Sequence, residues 1–292
     1  VNGRVYEWVA PIDGVSQGEY APVKTLISPK QNQMLTLGLS HKNLGGGKLS
    51  LEGALSIEDL NTFSRLDNDD NAGWSGRADY QKHWGKEKGK GLSSQIFYEY
   101  RASEFRRIER YREVEFQRNY GLEELNDTLD EHWGGLGLNF GMGEKGQIGV
   151  KGSGFFRAGK YSAFHGELNG QIESKGWRLR LNSNMLAATN TLFARPFFDI
   201  SYAPSAMKGW RLGLDVQNEW NARRRADTLV TGSFIYQQYK AYAESPKDGA
   251  LVSGFSYMLR YEHYEDGIQF SGPLVRTHTA KFNGKLSKNP RH

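Results

Sequence analysis

The sequence contains no cysteine. That excludes a disulfide framework and a cysteine-based zinc site. It also contains no stretch near the roughly 18 consecutive apolar residues that a membrane-crossing helix needs. Neither HxH nor HExxH occurs among its 7 histidines, His41, His83, His132, His165, His263, His278 and His292. No GxSxG nucleophile elbow occurs either. Ser162 and His165 are near in sequence but of opposite parity, so on a regular strand they point to opposite sides. The expectation is that the protein is not an enzyme.

Charge of one sign is scarce as well. The chain has 38 basic and 33 acidic residues and a net charge of +5. Arg223, Arg224 and Arg225 form the one tight basic run, which is read as a solvated loop. A nucleic-acid groove needs a denser basic stripe, so no nucleic-acid partner is expected. The N-terminus lacks the basic, apolar, small-residue order of a signal peptide. Lys288–His292 lacks a terminal aromatic. The chain is therefore expected to be processed or a piece of a longer one.

What is abundant is glycine and aromatics: 35 Gly, 15 Tyr, 15 Phe and 7 Trp. These residues suit turns and amphipathic strands. The dominant signal is alternation. Trp177, Leu179, Leu181 and Met185 share one parity, whereas Arg178, Arg180, Asn182 and Asn184 share the other. Trp210, Leu212, Leu214, Val216 and Trp220 oppose Arg211, Asp215, Gln217 and Glu219. Similar alternation runs through Leu49–Ile57, Leu92–Arg101, Leu136–Met142 and Phe255–His263. Successive side chains on a strand point to opposite faces, so each segment has an apolar and a polar side.

Turn sequences punctuate these segments: Gly143–Gly146, Ser174–Gly176, Lys208–Gly209, Pro246–Gly249 and Glu265–Gly267. Glycine supplies the positive φ that tight hairpins require. The segments between them run to about ten residues. A tilted membrane-crossing strand needs about 9–11, whereas soluble strands average nearer 5–6. The predicted fold is all-β, an antiparallel up-and-down meander of about 12–14 long strands, forming an outer-membrane β-barrel or a section of one. Mean hydropathy is −0.66, which a barrel tolerates because alternate residues alone touch lipid. Trp133, Trp177, Trp210, Trp220, Tyr202 and Tyr239 are expected in interfacial girdles.

Two stretches depart from this pattern. Residues 1–33 alternate poorly and contain Pro11, Pro22 and Pro29; they read as an irregular entry segment, a linker or a plug-like element. Barrel strands are expected over 34–292. Within them, residues 101–131 are too charged to face lipid and are expected as a protruding charged hairpin or loop with Arg–Glu pairs. Leu122, Leu125 and Leu129 could form one short helix there.

The segments Glu109–Tyr120, Asn61–Gly73 and Gly18–Val23 resemble long, poorly characterised outer-membrane proteins of the Bacteroidetes group. The resemblance covers about residues 15–125. It implies a large multi-strand barrel of which this chain is one part, and it implies no activity and no functional residue.

One constellation points to a metal. Asp67, Asp69 and Asn71 alternate as the first ligands of calcium loops do. The pattern departs from an EF-hand at Ala72, where glycine is wanted, and at Ala78, where a bidentate Glu is wanted. Calcium is thus the one cofactor candidate, against an Asp/Asn-rich exposed turn. The polar faces mix signs, with Arg178 and Arg180 on one strand and Asp215 and Glu219 on another. Mixed signs suit a hydrated lumen or paired charges more than an ion-selective ring.

Two functions follow from this reading. The first is a porin-like transport, pore or scaffold role in a bacterial outer membrane, with membrane lipid, other chains or the remainder of a larger barrel as partners. The second is a soluble extracellular β-sheet protein that binds glycan or protein through surface aromatics. The apolar parity separates them: outward around a barrel, inward toward a second sheet in a sandwich.

Overall fold

The computed structural model describes residues 7–18, 27–64, 71–85, 89–110, 112–114, 116–122, 129–207, 209–246 and 251–286. The chain is all-β. Its strands are β1 (Gln31–Leu44), β2 (Gly47–Asp59), β3 (Ala72–Trp84), β4 (Lys90–Arg101), β5 (Glu131–Met142), β6 (Gly146–Arg157), β7 (Tyr161–Ser174) and β8 (Trp177–Ala188). They continue with β9 (Thr191–Tyr202), β10 (Arg211–Arg225), β11 (Thr228–Leu229), β12 (Phe234–Glu244), β13 (Leu251–Asp266), β14 (Gln269–Phe270) and β15 (Val275–Leu286). One helical turn, α1 (Phe116–Asn119), lies between β4 and β5.

All of the described strands belong to one antiparallel meander, and among the described residues the sheet is not closed. The two shortest strands are hairpin tips. The tip β11 pairs with Arg224–Arg225 of β10, and β14 pairs with Glu265–Asp266 of β13. Each precedes an irregular step, after which the chain rejoins the same neighbour as β12 or β15. Setting these two tips aside leaves thirteen long passes, within the expected number. The basic run Arg223–Arg225 sits at one such tip, where Arg224 donates to the Asp227 carbonyl at 2.7 Å.

The turns follow from local chemistry. Gly45 and Gly46 both adopt positive φ, as do Lys175 and Gly176. These are two-residue hairpins whose twist matches that of the flanking strands. One end of the sheet, here the turn end, carries connections 45–46, 85–89, 143–145, 175–176 and 203–210. The opposite end carries the two longest connections, 60–71 and 102–130, and is called the loop end.

Register decides which side chains share a face. Leu35 lies opposite Leu55, and Leu55 opposite Trp74. Ile96 faces Leu136, and Leu138 faces Val150, which faces Leu168. Leu181 faces Phe198, Phe198 faces Val216, and Val216 faces Tyr239. Phe255 faces Phe282 at the far edge. The apolar parity thus crosses all thirteen passes on one side, called the outer face. Its side chains are open: Leu136 is 46% exposed, Phe140 52% and Trp177 51%.

The burial lies on the other, polar side, called the inner face. Glu99, Glu131, Ser153, His165, Asp199, Ser201 and Asp215 are all buried there. The hydrophobic cluster is small and also lies on that side: Phe116, Tyr120, Leu122, Phe155, Ala163 and Leu186, flanked by Trp133, Tyr161, Ala188 and Phe193. This is the reverse of a water-soluble sheet, whose buried face is its apolar one.

Two sequence expectations change here. Trp133 has inner parity and packs edge-on against Phe116 and Phe97, so it belongs to no girdle. Tyr239 lies midway along β12, away from both rims. Trp177 and Tyr202 do pair near the turn end, with ring centroids 4.7 Å apart. Trp74 and Tyr100 pair near the loop end at 4.4 Å.

Candidate functional site

The connection between β4 and β5 is not a protruding hairpin in its described part. Residues 102–110, 112–114 and 116–122 contain no strand and fold onto the inner face at the loop end. Their first leg continues past the end of β3. The Ala102 amide donates to the Trp74 carbonyl at 3.0 Å, and the Arg106 amide to Ser56 Oγ at 2.9 Å. Arg106 also pairs with Glu58 at 3.2 Å. Phe105 lies directly over Gly73, where a Cβ would stand 2.1 Å from the Phe105 nitrogen. Only glycine allows that approach.

The second leg inserts a cation. Arg112 Nη1 donates to Glu131 Oε2 at 2.7 Å, and Arg112 Nε to Glu99 Oε1 at 3.0 Å. Both carboxylates have further partners. Glu131 binds Arg101 at 2.7 Å and Arg157 at 2.9 Å, and Glu99 binds Arg77 at 3.1 Å. Two buried carboxylates thus meet four guanidinium groups. A charge is tolerated away from water only when paired and hydrogen-bonded, and this network meets that condition at each carboxylate.

Aromatic rings wall the network. The Arg112 guanidinium stands 4.4 Å from the Phe116 ring centroid, 5.7 Å from Phe155 and 5.8 Å from Trp133. These are cation–π distances. The Tyr120 hydroxyl accepts from Trp133 Nε1 at 2.7 Å and pairs with Ser153 Oγ at 2.7 Å. Burial pushes the Tyr120 phenol above its usual range. Asp130 anchors the base of the connection, accepting from the Ser103 amide at 2.9 Å and the Tyr100 hydroxyl at 3.0 Å. The Ser103 amide, followed by the Tyr100 hydroxyl, holds its carboxyl below the usual carboxylate range.

A second inner-face network lies under β8–β12. Buried Asp199 accepts from Arg180 Nε at 3.1 Å and from the Tyr242 hydroxyl at 2.7 Å. The Tyr242 ring occupies the space left by Gly213, where a Cβ would stand 2.2 Å away. Arg195 grips Glu219 through two bonds of 3.0 and 2.8 Å, the bidentate geometry that favours arginine. The mixed signs expected here thus resolve into ion pairs at Arg180 and Glu219, whereas buried Asp215 accepts from Gln217 Nε2 at 3.2 Å.

Of the calcium candidates, Asp67 and Asp69 lie outside the described residues. Asn71 precedes β3, and its carbonyl accepts from the Glu58 amide at 2.9 Å. Among the described residues no group of three or more His, Asp or Glu is arranged to hold a metal. Ser162 and His165 fall on opposite faces: His165 is buried against Asn184 Oδ1 at 2.8 Å, and Ser162 has outer parity. Arg–Glu pairs do form within residues 101–131, at Arg101–Glu131 and Arg112–Glu131, but the inward docking of Arg112 between Glu99 and the aromatic rings escaped sequence reasoning. A signal for it existed in Phe97, Trp133 and Phe155, three aromatics on the polar parity of β4, β5 and β6 near one end.

Comparison with known protein families finds no matching family model, and comparison with curated proteins finds no match. The functional reading therefore rests on geometry.

Proposed function

We propose that this chain is an outer-membrane β-barrel, or a section of one, with a porin-like transport, pore or scaffold role and no chemistry of its own. One observation carries the reading: an exposed apolar face crosses all thirteen passes, while the buried side chains of the sheet lie on the polar face. Neighbouring strands lie about 4.8 Å apart, so thirteen of them span roughly 60 Å. An apolar band about 25 Å tall over that width amounts to more than a thousand Å². Soluble monomers rarely expose more than a few hundred. A lipid phase is the partner whose chemistry fits such a surface.

The soluble reading needs a second layer over the apolar face, and none of the described residues covers it. The paired charges of the inner face suit a hydrated interior. The longer connections at the loop end match the extracellular side of such barrels, where loops are longer than periplasmic turns. Kinship with the Bacteroidetes outer-membrane proteins belongs to the same proposal, as do the outer membrane as its location and lipid as its partner.

The test is expression with and without detergent. The expected result is recovery in the detergent-solubilised membrane fraction and spontaneous folding into phosphatidylcholine vesicles. A monodisperse monomer in detergent-free buffer would exclude the membrane role.

A further inference from the structure

The outermost strands of the sheet are β1 and β15. Among the described residues, the outer edge of each carries no ladder. Each step across the thirteen long passes is antiparallel. An odd number of passes leaves the two edge strands running in the same direction, both from the loop end to the turn end.

This parity restricts what can cover the edges. If the sheet closed on itself, β1 would lie parallel to β15. Parallel pairs are slightly less stable than antiparallel ones, and bacterial single-chain barrels close with even strand numbers. A second copy inserted the same way up offers the same two edges, running the same way, so it too would pair in parallel. An inverted copy would carry its loop end to the wrong side of the membrane.

The edges cannot stay bare in hydrocarbon, where unpaired backbone groups find no water. Strand β1 also lacks edge protection over most of its length, its register shift and Lys42 lying near the turn end. From Gln31 to Ser40 it has no charged residue and no proline, and Leu35, Leu37 and Leu39 line its outer face. Edges that remain open in native proteins usually carry charge, proline or a bulge. On β15, Lys281 and Lys285 share the inner parity, and Phe282 has the outer one. Both edges therefore present an apolar side to the lipid face and a polar side to the interior.

Resting on the outer-membrane reading above, we infer that the barrel is completed by an odd number of further amphipathic strands. The first of them runs antiparallel to β1. The occupant is a polypeptide strand of about 9–11 residues with apolar side chains at alternate positions, distinct from every strand described here.

Disulfide scanning tests this cleanly, because the chain has no native cysteine. The full chain is folded into phosphatidylcholine vesicles. Pairs such as Leu37→Cys with Ala280→Cys are scanned through several registers between β1 and β15. The pair Leu35→Cys with Leu55→Cys serves as the control, since these residues lie opposite each other. The scan is repeated in chains lengthened after His292 by one or by three strands copied from β2 and its neighbours. The expected result is full control cross-linking throughout, background β1–β15 cross-linking, and at least a fivefold gain between β1 and the last added strand in an antiparallel register.

Efficient β1–β15 cross-linking in a parallel register overturns the inference. So does cross-linking between copies through a single β1 cysteine, or failure of both lengthened chains to reach β1 while the control forms. Quenching of the tryptophans by brominated lipid is read in the same samples. Unquenched tryptophans sink the membrane reading and this inference with it, whereas quenched tryptophans with a β1–β15 cross-link sink this inference alone.

Discussion

Arg112 and Glu131 meet at 2.7 Å on the inner face, joining a charged connection to the start of the strand that follows it. Both side chains are nearly dry, at 9% and 1% exposure. The pair turns a segment whose composition reads as solvent-loving into part of the interior.

Arg112→Met removes the central cation. Breaking a buried pair costs about 3–5 kcal/mol. The low end applies here, because Arg101 and Arg157 still hold Glu131, and Arg77 still holds Glu99. The expected outcome is a sheet that still folds but a connection that undocks. Limited trypsin digestion checks this, with faster cleavage at Arg106, Arg107 and Arg110 and unchanged cleavage elsewhere.

Gly73→Val places a Cβ where the Phe105 backbone already sits. A backbone cannot yield as a flexible side-chain tip can, so the first leg must lift off. The loss is expected at about 1–3 kcal/mol, together with the Arg106 bonds to Ser56 and Glu58. Tryptic cleavage at Arg106 and Arg107 should rise several-fold, and Ser75→Ala on the same strand should leave it unchanged.

Asp130 sets an acid limit on docking. Its folded-state carboxyl titrates below the ordinary range. Its contribution is therefore complete above the unfolded value of about 3.9 and is lost as pH falls through the lower folded value. Amide exchange at Ser103, followed from pH 6 downward, should show protection falling below about pH 4. In Asp130→Asn this acid step should be absent.

Tyr120 sets the alkaline limit. Burial raises its phenol, so the neutral form stabilises the docked state below the unfolded value of about 10. That contribution is lost as pH rises through the higher folded value. An ultraviolet difference titration of the unaltered chain against Tyr120→Phe should isolate one tyrosine that ionises above its ordinary range. Tyr120→Phe should cost about 1–3 kcal/mol by stranding Trp133 Nε1 and Ser153 Oγ.

The outer face predicts a sided response to charge. Leu136→Arg, midway along β5, should weaken folding into vesicles by about 2–4 kcal/mol, as lipid-facing cations do near the bilayer centre. Asn139→Lys, on the inner parity of the same strand, should change it little. Equal effects at the two positions would contradict the assigned faces.

The strands were legible because side-chain alternation is local: Trp177–Met185 and Leu212–Trp220 display their faces without help from the rest of the chain. Turn chemistry was equally local at Lys175–Gly176. The inward course of residues 102–122 was not, because it depends on groups that only the finished sheet assembles. Glu99, Glu131 and Arg157 come from three strands, and Gly73 from a fourth. Trp133 misled for a related reason. Its type suits a membrane rim, but its parity relative to His132 and Gly134 places it inside.

Each strand of this sheet pairs with the passes next to it in sequence, so the ladder can zip up hairpin by hairpin with small loop-closure cost. The exception is the Phe116 cluster, which needs Phe155 from β6, Leu186 from β8 and Phe193 from β9. The connection from β4 must therefore wait while five later strands are laid down. Docking of this connection follows the pairing of β9, and protection of Phe116 and Tyr120 should lag that of β4 and β5 in pulse-labelling during refolding.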